Sequence, residues 1–332
     1  MESMGSGPVD LFRRNEMKLG FIYAGQGSQK VGMGMDLYEK YPEFKETFDN
    51  VTGVDFDLKK VCFEGPAETL NETKYTQPCM VAFAVGMTKV LKSLGVEPVC
   101  AAGLSLGEYS ALYEAGVFTE EQVIPLVQFR GNAMQTAVQG RDCKMIAVLG
   151  LDKETVFAGC EKVKAELEAA GKSDLIAEPA NFNCPGQITV SGDAEAVDMA
   201  AEVLKEMGAK RCLPVKVSGP FHTSLMKPAG DALAERFQSE NFGEMNIPVI
   251  FNCIGREKTA DETIPALLEK QVQKSVYFDD SIKAMADMGV EAFVEIGPGK
   301  TLSKFVQKTT PDIPVYGVET VEDINKLLET IG

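Results

Sequence analysis

The chain has 332 residues, a length that suits one large hydrophobic core or two coupled ones. Hydrophobic residues make up 45% of it and charged residues 25%, which is typical of a folded globular protein and argues against disorder. Its 33 basic and 49 acidic residues give a net charge of −16, which repels phosphate backbones, so nucleic-acid binding is not expected.

The N-terminal residues and the cysteine and histidine content bear on targeting and on metal binding. Residues 1–16 are polar and without hydrophobic periodicity, and we expect them to be an expression-derived leader before a natural start at Met17. No apolar run approaches the roughly 18 residues of a membrane span, and no secretory signal pattern is present, so we expect a cytoplasmic protein that does not contact membranes. Eight dispersed cysteines and a single histidine predict reduced thiols and no metal site.

The first part of the chain alternates short apolar runs with amphipathic segments, which predicts strands and helices in turn. Residues 78–94 are apolar nearly all round, so the helix predicted there should be buried. In chain order the predicted elements are a strand over 18–24, a turn over 25–29, a helix over 34–48, the buried helix, a strand over 98–103, and helices from about 107 and from about 120.

The middle of the chain has a different order of elements. We predict a strand over 144–149, a helix over 153–170, strands over 174–180 and 187–191, a helix over 194–207 and a strand over 210–217. This βαββαβ order is the ferredoxin-like pattern, and a unit of this kind forms a compact insert.

The last part of the chain returns to simple alternation. Its predicted elements are a strand over 248–252, helices over 264–273 and 279–288, a strand over 291–296, a helix from about 300, a strand over 315–318 and a helix over 321–331. Alternation implies an α/β fold whose mostly parallel sheet is covered by helices on both faces. We therefore predict a discontinuous large subdomain over 17–139 and 217–332, and a small ferredoxin-like subdomain over 140–216.

Two glycine-rich turns resemble phosphate-binding loops but lack required residues. The glycines at 25 and 27 follow a strand, but the third glycine of the dinucleotide fingerprint is replaced by Lys30. The segment 299–301 resembles the end of a P-loop, yet Val294 stands where that loop begins with glycine, and Pro298 removes a backbone donor. No cofactor is therefore expected.

A GLSLG sequence over residues 103–107 lies between a predicted strand and a predicted helix, the context of a nucleophile elbow. In such a turn the residues two before and two after Ser105 must be small, and the helix offers the free N–H of Leu106 to an oxyanion. A serine nucleophile needs a general base, and His222 is the only histidine. Spacing names no aspartate as the third member; a backbone carbonyl could orient His222 instead.

In combination the motifs resemble the malonyl-CoA:acyl carrier protein transacylase family, the acyltransferases that load type II fatty acid synthesis. The resemblance runs from about Met17 to at least Val318. It rests on GQGSQ at 25–29, TQP at 76–78, GLSLGEYSAL at 103–112, FRG at 129–131, NFNCPGQ at 181–187, FHT at 221–223 and EIGPGK at 295–300. The family fold, an α/β-hydrolase-like core with a ferredoxin-like insert, agrees with the predicted order of elements.

The resemblance implies a function, which is transfer of the malonyl group from malonyl-CoA to the phosphopantetheine thiol of acyl carrier protein by a ping-pong mechanism. We expect a monomer with these two partners. Carried over by matching position, the site residues are Ser105 as the acylated nucleophile, His222 as its base, the N–H groups of Gln26 and Leu106 as the oxyanion hole, Arg130 as the group that holds the malonyl carboxylate, and Gln271 as the backbone carbonyl that orients His222.

Two other functions stay open from the residues alone. A serine thioesterase or other hydrolase would use the same Ser105–His222 pair with water as acceptor, and a non-catalytic acyl- or carrier-binding module would need neither residue. Arg130 and the turn at 25–29 favour the transferase. Many family members have a histidine before the serine, where this chain has Leu104; that position is not the base, so the mechanism is unaffected.

An acidic enzyme that binds an acidic carrier protein needs a local basic patch. The lysines that flank the motifs are the candidates for this patch, namely Lys30, Lys227, Lys300 and Lys304. Reversing their charge should slow transfer to the carrier protein and spare acylation by malonyl-CoA.

Overall fold

A computed structural model describes residues 17–215 and 219–331. The expected leader at 1–16 lies outside these residues, as does the end of the strand predicted over 210–217. The strands are β1 (Leu19–Tyr23), β2 (Cys100–Gly103), β3 (Cys143–Leu149), β4 (Ala177–Cys184), β5 (Gln187–Asp193), β6 (Arg211–Pro214), β7 (Val249–Ile250), β8 (Val276–Tyr277), β9 (Ala292–Ile296) and β10 (Val315–Val318).

The helices alternate with these strands over most of the chain. They are α1 (Met35–Lys40), α2 (Pro42–Asp49), α3 (Leu58–Glu64), α4 (Ala67–Leu70), α5 (Thr73–Ser93), α6 (Gly107–Glu114), α7 (Glu120–Thr136), α8 (Lys153–Ala169), α9 (Ala194–Glu206), α10 (Lys227–Phe237), α11 (Ile264–Gln273), α12 (Phe278–Asp287), α13 (Thr301–Thr309) and α14 (Val321–Ile331). A short 3₁₀ turn over Ser224–Met226 precedes α10.

The first sheet contains five parallel strands in the order β10-β9-β1-β2-β7. All five residues of the central strand β1 are buried, as expected for a parallel strand that is covered on both faces. Phe21 and Tyr23 belong to one core cluster and Ile22 to another, because successive side chains of a strand point to opposite faces. Tyr23 is aligned with Gly103, so β1 and β2 end together at the carboxyl edge of the sheet.

The second sheet has the order β6-β3-β5-β4-β8. Its first four strands pair antiparallel, and β8 adds to β4 in parallel. Helices α8 and α9 pack against each other and against β3, β4 and β5, around a separate core cluster. Strand β8 was not expected from the sequence, because a strand of two residues is too short to show periodicity.

Proline explains one difference between the predicted and the observed helices. The single helix predicted over 34–48 is wrong: α1 ends at Lys40 and α2 begins at Pro42. Tyr41 between them is extended, with φ −114° and ψ 118°, because a residue before proline avoids the helical region. In α5, by contrast, Pro78 lies inside the helix, which begins five residues earlier than predicted.

Within the described residues no helix combines the length and the apolar character that crossing a bilayer requires. All eight cysteines are free thiols, of which five are buried and three are partly buried. No three His, Cys, Asp or Glu side chains in the described ranges are grouped so that they could hold a metal ion.

Candidate active site

Ser105 lies at the turn between β2 and α6, at the carboxyl edge of the first sheet. Its φ is +53°, a left-handed conformation that costs a residue with a side chain about 1–2 kcal/mol. A Cβ atom added to Gly103 would lie 2.0 Å from the backbone carbon of Gly107, and one added to Gly107 would lie 2.1 Å from the carbonyl oxygen of Tyr23. Only glycine fits at either position, as a nucleophile elbow requires.

The structure brings Ser105 and His222 together from distant parts of the chain. The Oγ atom of Ser105 lies 2.7 Å from Nε2 of His222, and Nδ1 of His222 lies 2.8 Å from the backbone carbonyl oxygen of Gln271. A carbonyl oxygen can only accept, so Nδ1 carries the ring proton and Nε2 accepts the hydrogen bond from the serine hydroxyl. This tautomer is the one that a general base needs, and the Gln271 carbonyl occupies the place of a triad carboxylate.

His222 is held in its neutral form by its surroundings. The side chain is buried, and burial together with the positive charge of Arg130 lowers its pKa to about 4. At neutral pH the imidazole is therefore ready to accept a proton.

Arg130 on α7 is a buried cation, with only 1% of its surface exposed. It donates from Nη1 to the side-chain oxygen of Gln77 at 3.0 Å, and from Nη2 to the side-chain oxygen of Gln271 at 3.0 Å and to Oγ of Ser105 at 3.3 Å. Its Nε has no partner, and among the described residues no carboxylate forms an ion pair with it. Because an uncompensated buried charge is costly, this position is suited to an anionic ligand.

Gln271 on α11 contacts each of the three residues above. Its backbone carbonyl accepts from His222, its Oε1 accepts from Arg130, and its Nε2 donates to the backbone carbonyl of Ser105 at 2.6 Å. The resemblance implied only the backbone contact; the two side-chain contacts come from the structure.

The turn at 25–29 packs directly against the elbow. A Cβ atom added to Gly25 would lie 2.4 Å from the carbonyl oxygen of Leu104. Within the described part of the chain, the backbone N–H groups of Gln26 and Leu106 have no hydrogen-bond acceptor. The side chain of Gln26 is fixed by donation to Thr73 Oγ1 at 3.0 Å. The two N–H groups predicted for an oxyanion hole are therefore both free to donate near Ser105.

A cavity of about 170 Å³ lies over Ser105, between the two sheets. Asn181, Asn183 and Thr189 of the second sheet line it, and its apolar wall includes Met134, Met145, Val215, Phe221 and Phe305. A larger cavity of about 360 Å³ borders His222 but includes neither Ser105 nor Arg130. Of these two cavities, the smaller one is therefore the one that gives access to both Ser105 and Arg130.

Two residues at the elbow were not singled out from the sequence. Asn252 accepts the N–H of Ser105 at 2.7 Å through Oδ1, and the carboxyl of Glu108 accepts the N–H of Asn252 at 2.6 Å. The available signal was the position of Asn252, at the end of the strand predicted over 248–252, whose observed part β7 pairs with the strand that precedes Ser105.

Comparison with known proteins identifies the family to which the chain is similar. The profile of a family described as acyl transferase domain matches residues 20–326. The chain is 38% identical over 315 residues to the malonyl CoA-acyl carrier protein transacylase of Bacillus subtilis (strain 168), which covers 95% of this chain and 97% of the relative.

Solved structures show the same similarity. The crystal structure of malonyl CoA-acyl carrier protein transacylase from Clostridium perfringens ATCC 13124 has a TM-score of 0.89 and 38% identity, over 95% of this chain and 97% of that one. A malonyl-transacylase in complex with its type II polyketide synthase acyl-carrier protein has a TM-score of 0.88 and 35% identity, over 94% and 99%. The chain therefore belongs to the acyl transferase family, and the resemblance to malonyl-CoA:acyl carrier protein transacylases is confirmed.

Proposed function

We propose that this protein transfers the malonyl group of malonyl-CoA to the phosphopantetheine thiol of an acyl carrier protein, through a malonyl ester on Ser105, and so supplies fatty acid synthesis. The observation that carries the proposal is the buried Arg130, a cation without a carboxylate partner among the described residues, 3.3 Å from the hydroxyl of a serine paired with His222. The relatives named above as malonyl CoA-acyl carrier protein transacylases support the same substrates.

In the first half-reaction Ser105 gives its proton to Nε2 of His222 while Oγ attacks the thioester carbonyl. The N–H groups of Gln26 and Leu106 stabilise the resulting oxyanion, each donor contributing on the order of 3–4 kcal/mol. The C–S bond then breaks, and His222 protonates the departing thiolate of CoA. Gln271 keeps the imidazole in the correct tautomer throughout.

The second half-reaction reverses these steps. The thiol of the carrier protein gives its proton to His222 and attacks the ester carbonyl of malonyl-Ser105. The C–O bond breaks, His222 returns the proton to Oγ, and malonyl carrier protein leaves. Because the first product departs before the second substrate reacts, the kinetics should be ping-pong.

Arg130 accounts for the choice of malonyl over neutral acyl groups. A guanidinium can hold a carboxylate by two parallel charge-assisted hydrogen bonds. Its present partners, the amides of Gln77 and Gln271, are neutral, so its charge remains available to the substrate. An acetyl group would leave that charge unpaired in a buried site, at a cost of several kcal/mol.

Intact-protein mass spectrometry after mixing with malonyl-CoA tests the proposal. We expect one malonyl adduct, mapped to Ser105, that is stable until holo carrier protein is added and is then discharged. Ser105→Ala is the control and should acquire no adduct. Steady release of CoA without carrier protein would identify a hydrolase, and absence of any adduct on the wild-type protein would overturn the proposal.

We also propose an assignment for the two sheets. The first sheet with its helices would be an α/β-hydrolase-like core formed by 17–139 and 217–332, and 140–216 would be a ferredoxin-like subdomain. Support comes from the serine turn that follows a parallel strand, and from the order β3-α8-β4-β5-α9-β6 with strands arranged β6-β3-β5-β4. A cytoplasmic location belongs to the same proposal, and the free thiols are consistent with it.

A further inference from the structure

The pairing of β2 with β7 stops just before the nucleophile. Ala102 is aligned with Ile250, the last residue of β7, and two residues later the backbone N–H of Asn252 donates to the carboxyl of Glu108 instead of continuing the ladder with β2. The side chain of Asn252 takes over at this point. Its Nδ2 donates to the carbonyl oxygen of Gly103 at 2.6 Å, and its Oδ1 accepts the N–H of Ser105 at 2.7 Å.

This amide bridge fixes the backbone around Ser105. The N–H of Ser105 is held by Asn252, and its carbonyl oxygen is held by Nε2 of Gln271 at 2.6 Å. The strained φ of +53° is thus restrained from both sides. Because the N–H of Ser105 is occupied, the next N–H along the chain, that of Leu106, is the one left for an oxyanion.

Glu108 restrains Asn252 in turn. It is fully buried, its Oε2 accepts the backbone N–H of Asn252 at 2.6 Å, and its Oε1 has no partner among the described residues. Burial raises its pKa to about 8, against the opposing effects of that hydrogen bond and of the Arg130 charge. At neutral pH the carboxyl is therefore mostly neutral, and its carbonyl oxygen can still accept from Asn252 without compensating Arg130.

We propose that Asn252 is a positioning residue for Ser105, which holds the nucleophile and the adjacent N–H of Leu106 in register, and that Glu108 holds Asn252 in place. The inference takes Ser105 as the nucleophile from the proposed function, but it does not depend on malonyl as the acyl group.

The test measures Ser105 reactivity in two ways, as the rate of labelling by a fluorophosphonate and as the rate of malonyl adduct formation. The variants are Asn252→Ala, Asn252→Asp, Glu108→Leu and Glu108→Gln, with Val163→Ala in the core of the second sheet as a destabilised control. We expect Asn252→Ala and Glu108→Leu to lower both rates on the order of 100-fold, because the nucleophile is misplaced. The KM for malonyl-CoA should change little, since Arg130 is intact.

The conservative variants separate positioning from a general loss of stability. Glu108→Gln keeps the acceptor for the Asn252 N–H, so it should recover most of the lost rate at a thermal midpoint similar to that of Glu108→Leu. Asn252→Asp keeps the acceptor for the Ser105 N–H but replaces the donor to the Gly103 carbonyl by an oxygen, so it should recover only part of the rate. Val163→Ala should lower the midpoint and leave the labelling rate unchanged.

Two results would overturn the inference. One is labelling of Asn252→Ala at a rate close to that of the wild type. The other is a loss of labelling rate in Val163→Ala as large as that in Asn252→Ala, when the two variants have the same thermal midpoint. If Glu108→Gln is labelled no faster than Glu108→Leu, Glu108 has no part in positioning Asn252. A wild-type protein that reacts with the fluorophosphonate but gains no malonyl adduct would overturn the proposed function instead, and the labelling rates would still decide the role of Asn252.

Discussion

The two sheets contribute to the site in different ways. The first sheet supplies the turn that carries Ser105, where glycines have no room for a Cβ atom and a buried amide bridges the backbone. The second sheet supplies only cavity-lining side chains, namely Asn181, Asn183, Thr189 and Met145, and none of them is hydrogen-bonded to Ser105 or His222 among the described residues. The reacting atoms thus depend on backbone geometry in one sheet, and the other sheet shapes the space around them.

The difference predicts where the molecule tolerates change. Substitutions at the carboxyl edge of the first sheet should lower the rate of acylation far more than their effect on the free energy of unfolding would explain. Substitutions in the second sheet should affect stability out of proportion to chemistry.

The largest effect is expected for Gly103→Ala. Its Cβ would lie 2.0 Å from the backbone of Gly107, so the elbow must move and Ser105 should acquire no detectable adduct in a mass spectrum. Gly171→Ala, in the turn that precedes the second strand of the other sheet, is the matched control. Its φ is +73° but the space around it is open, so we expect about 1 kcal/mol of destabilisation and normal acylation. Normal acylation of Gly103→Ala would contradict the tight packing of the elbow.

The next effect is selective. Arg130→Ala should reduce kcat/KM for malonyl transfer on the order of 10³-fold, as about 4 kcal/mol is lost when one partner of a buried ion pair is removed. Acetyl transfer should fall far less. Arg256→Ala, which removes an exposed arginine paired with Glu262, should change neither. Equal loss of malonyl and acetyl transfer would defeat the assignment of Arg130 to the carboxylate.

The pH dependence of acylation follows from the lowered pKa of His222. Because the pKa of His222 is lowered to about 4, its imidazole stays neutral in mildly acidic solution. The rate of labelling by a fluorophosphonate should therefore fall only below about pH 5, and not near pH 6.5, the ordinary pKa of histidine. Arg130→Gln removes one of the two causes and leaves burial, so the acidic limb should move to higher pH. An unchanged acidic limb of the pH profile would mean that the charge of Arg130 does not affect the pKa of His222.

A smaller effect is expected from the lysines that flank the sequence motifs and are candidates for carrier-protein docking. Lys30 and Lys227 already pair with Glu319 and Asp231, whereas Lys300 and Lys304 form no ion pair among the described residues. Lys300→Glu with Lys304→Glu should slow transfer to the carrier protein several-fold and leave acylation by malonyl-CoA unchanged. Quenched time courses of each half-reaction, measured separately, would detect this difference in rate. Equal slowing of both half-reactions would place carrier-protein docking elsewhere on the surface.

The smallest effect on rate is expected in the core of the second sheet. Leu204→Ala should lower the free energy of unfolding by about 2–5 kcal/mol, because Leu204 is fully buried and its truncation opens a cavity in that core cluster. Acylation measured well below the thermal midpoint should be unchanged. A large loss of acylation rate in the folded variant would contradict the conclusion that the second sheet contributes to stability and not to the reaction.

Local signals in the sequence predicted much of this architecture. Amphipathic periodicity located α11 and α14 at their observed bounds, and a short apolar run located β10. The strand β8 was missed because two residues show no period, and α3 and α4 were missed because short helices carry little pattern.

At the site, residue chemistry and the family resemblance named the residues that the structure brings together, including Ser105, His222 and Arg130. Other contacts at the site join residues that are far apart in the chain. These are the side-chain contacts of Gln271 and the hydrogen bonds that link Asn252 to Ser105 and to Glu108. Amides and a buried carboxyl are common residue types, and only the folded arrangement distinguishes these from others.

The short strand β8 has a mechanical consequence. It begins five residues after Gln271 and pairs with β4, so one brief segment carries both the acceptor of the His222 proton and the edge of the second sheet. Any rocking of that sheet to admit a bulky thioester would pull on the same segment. A movement of the second sheet that widened the entrance would therefore also shift the Gln271 carbonyl that holds Nδ1 of His222.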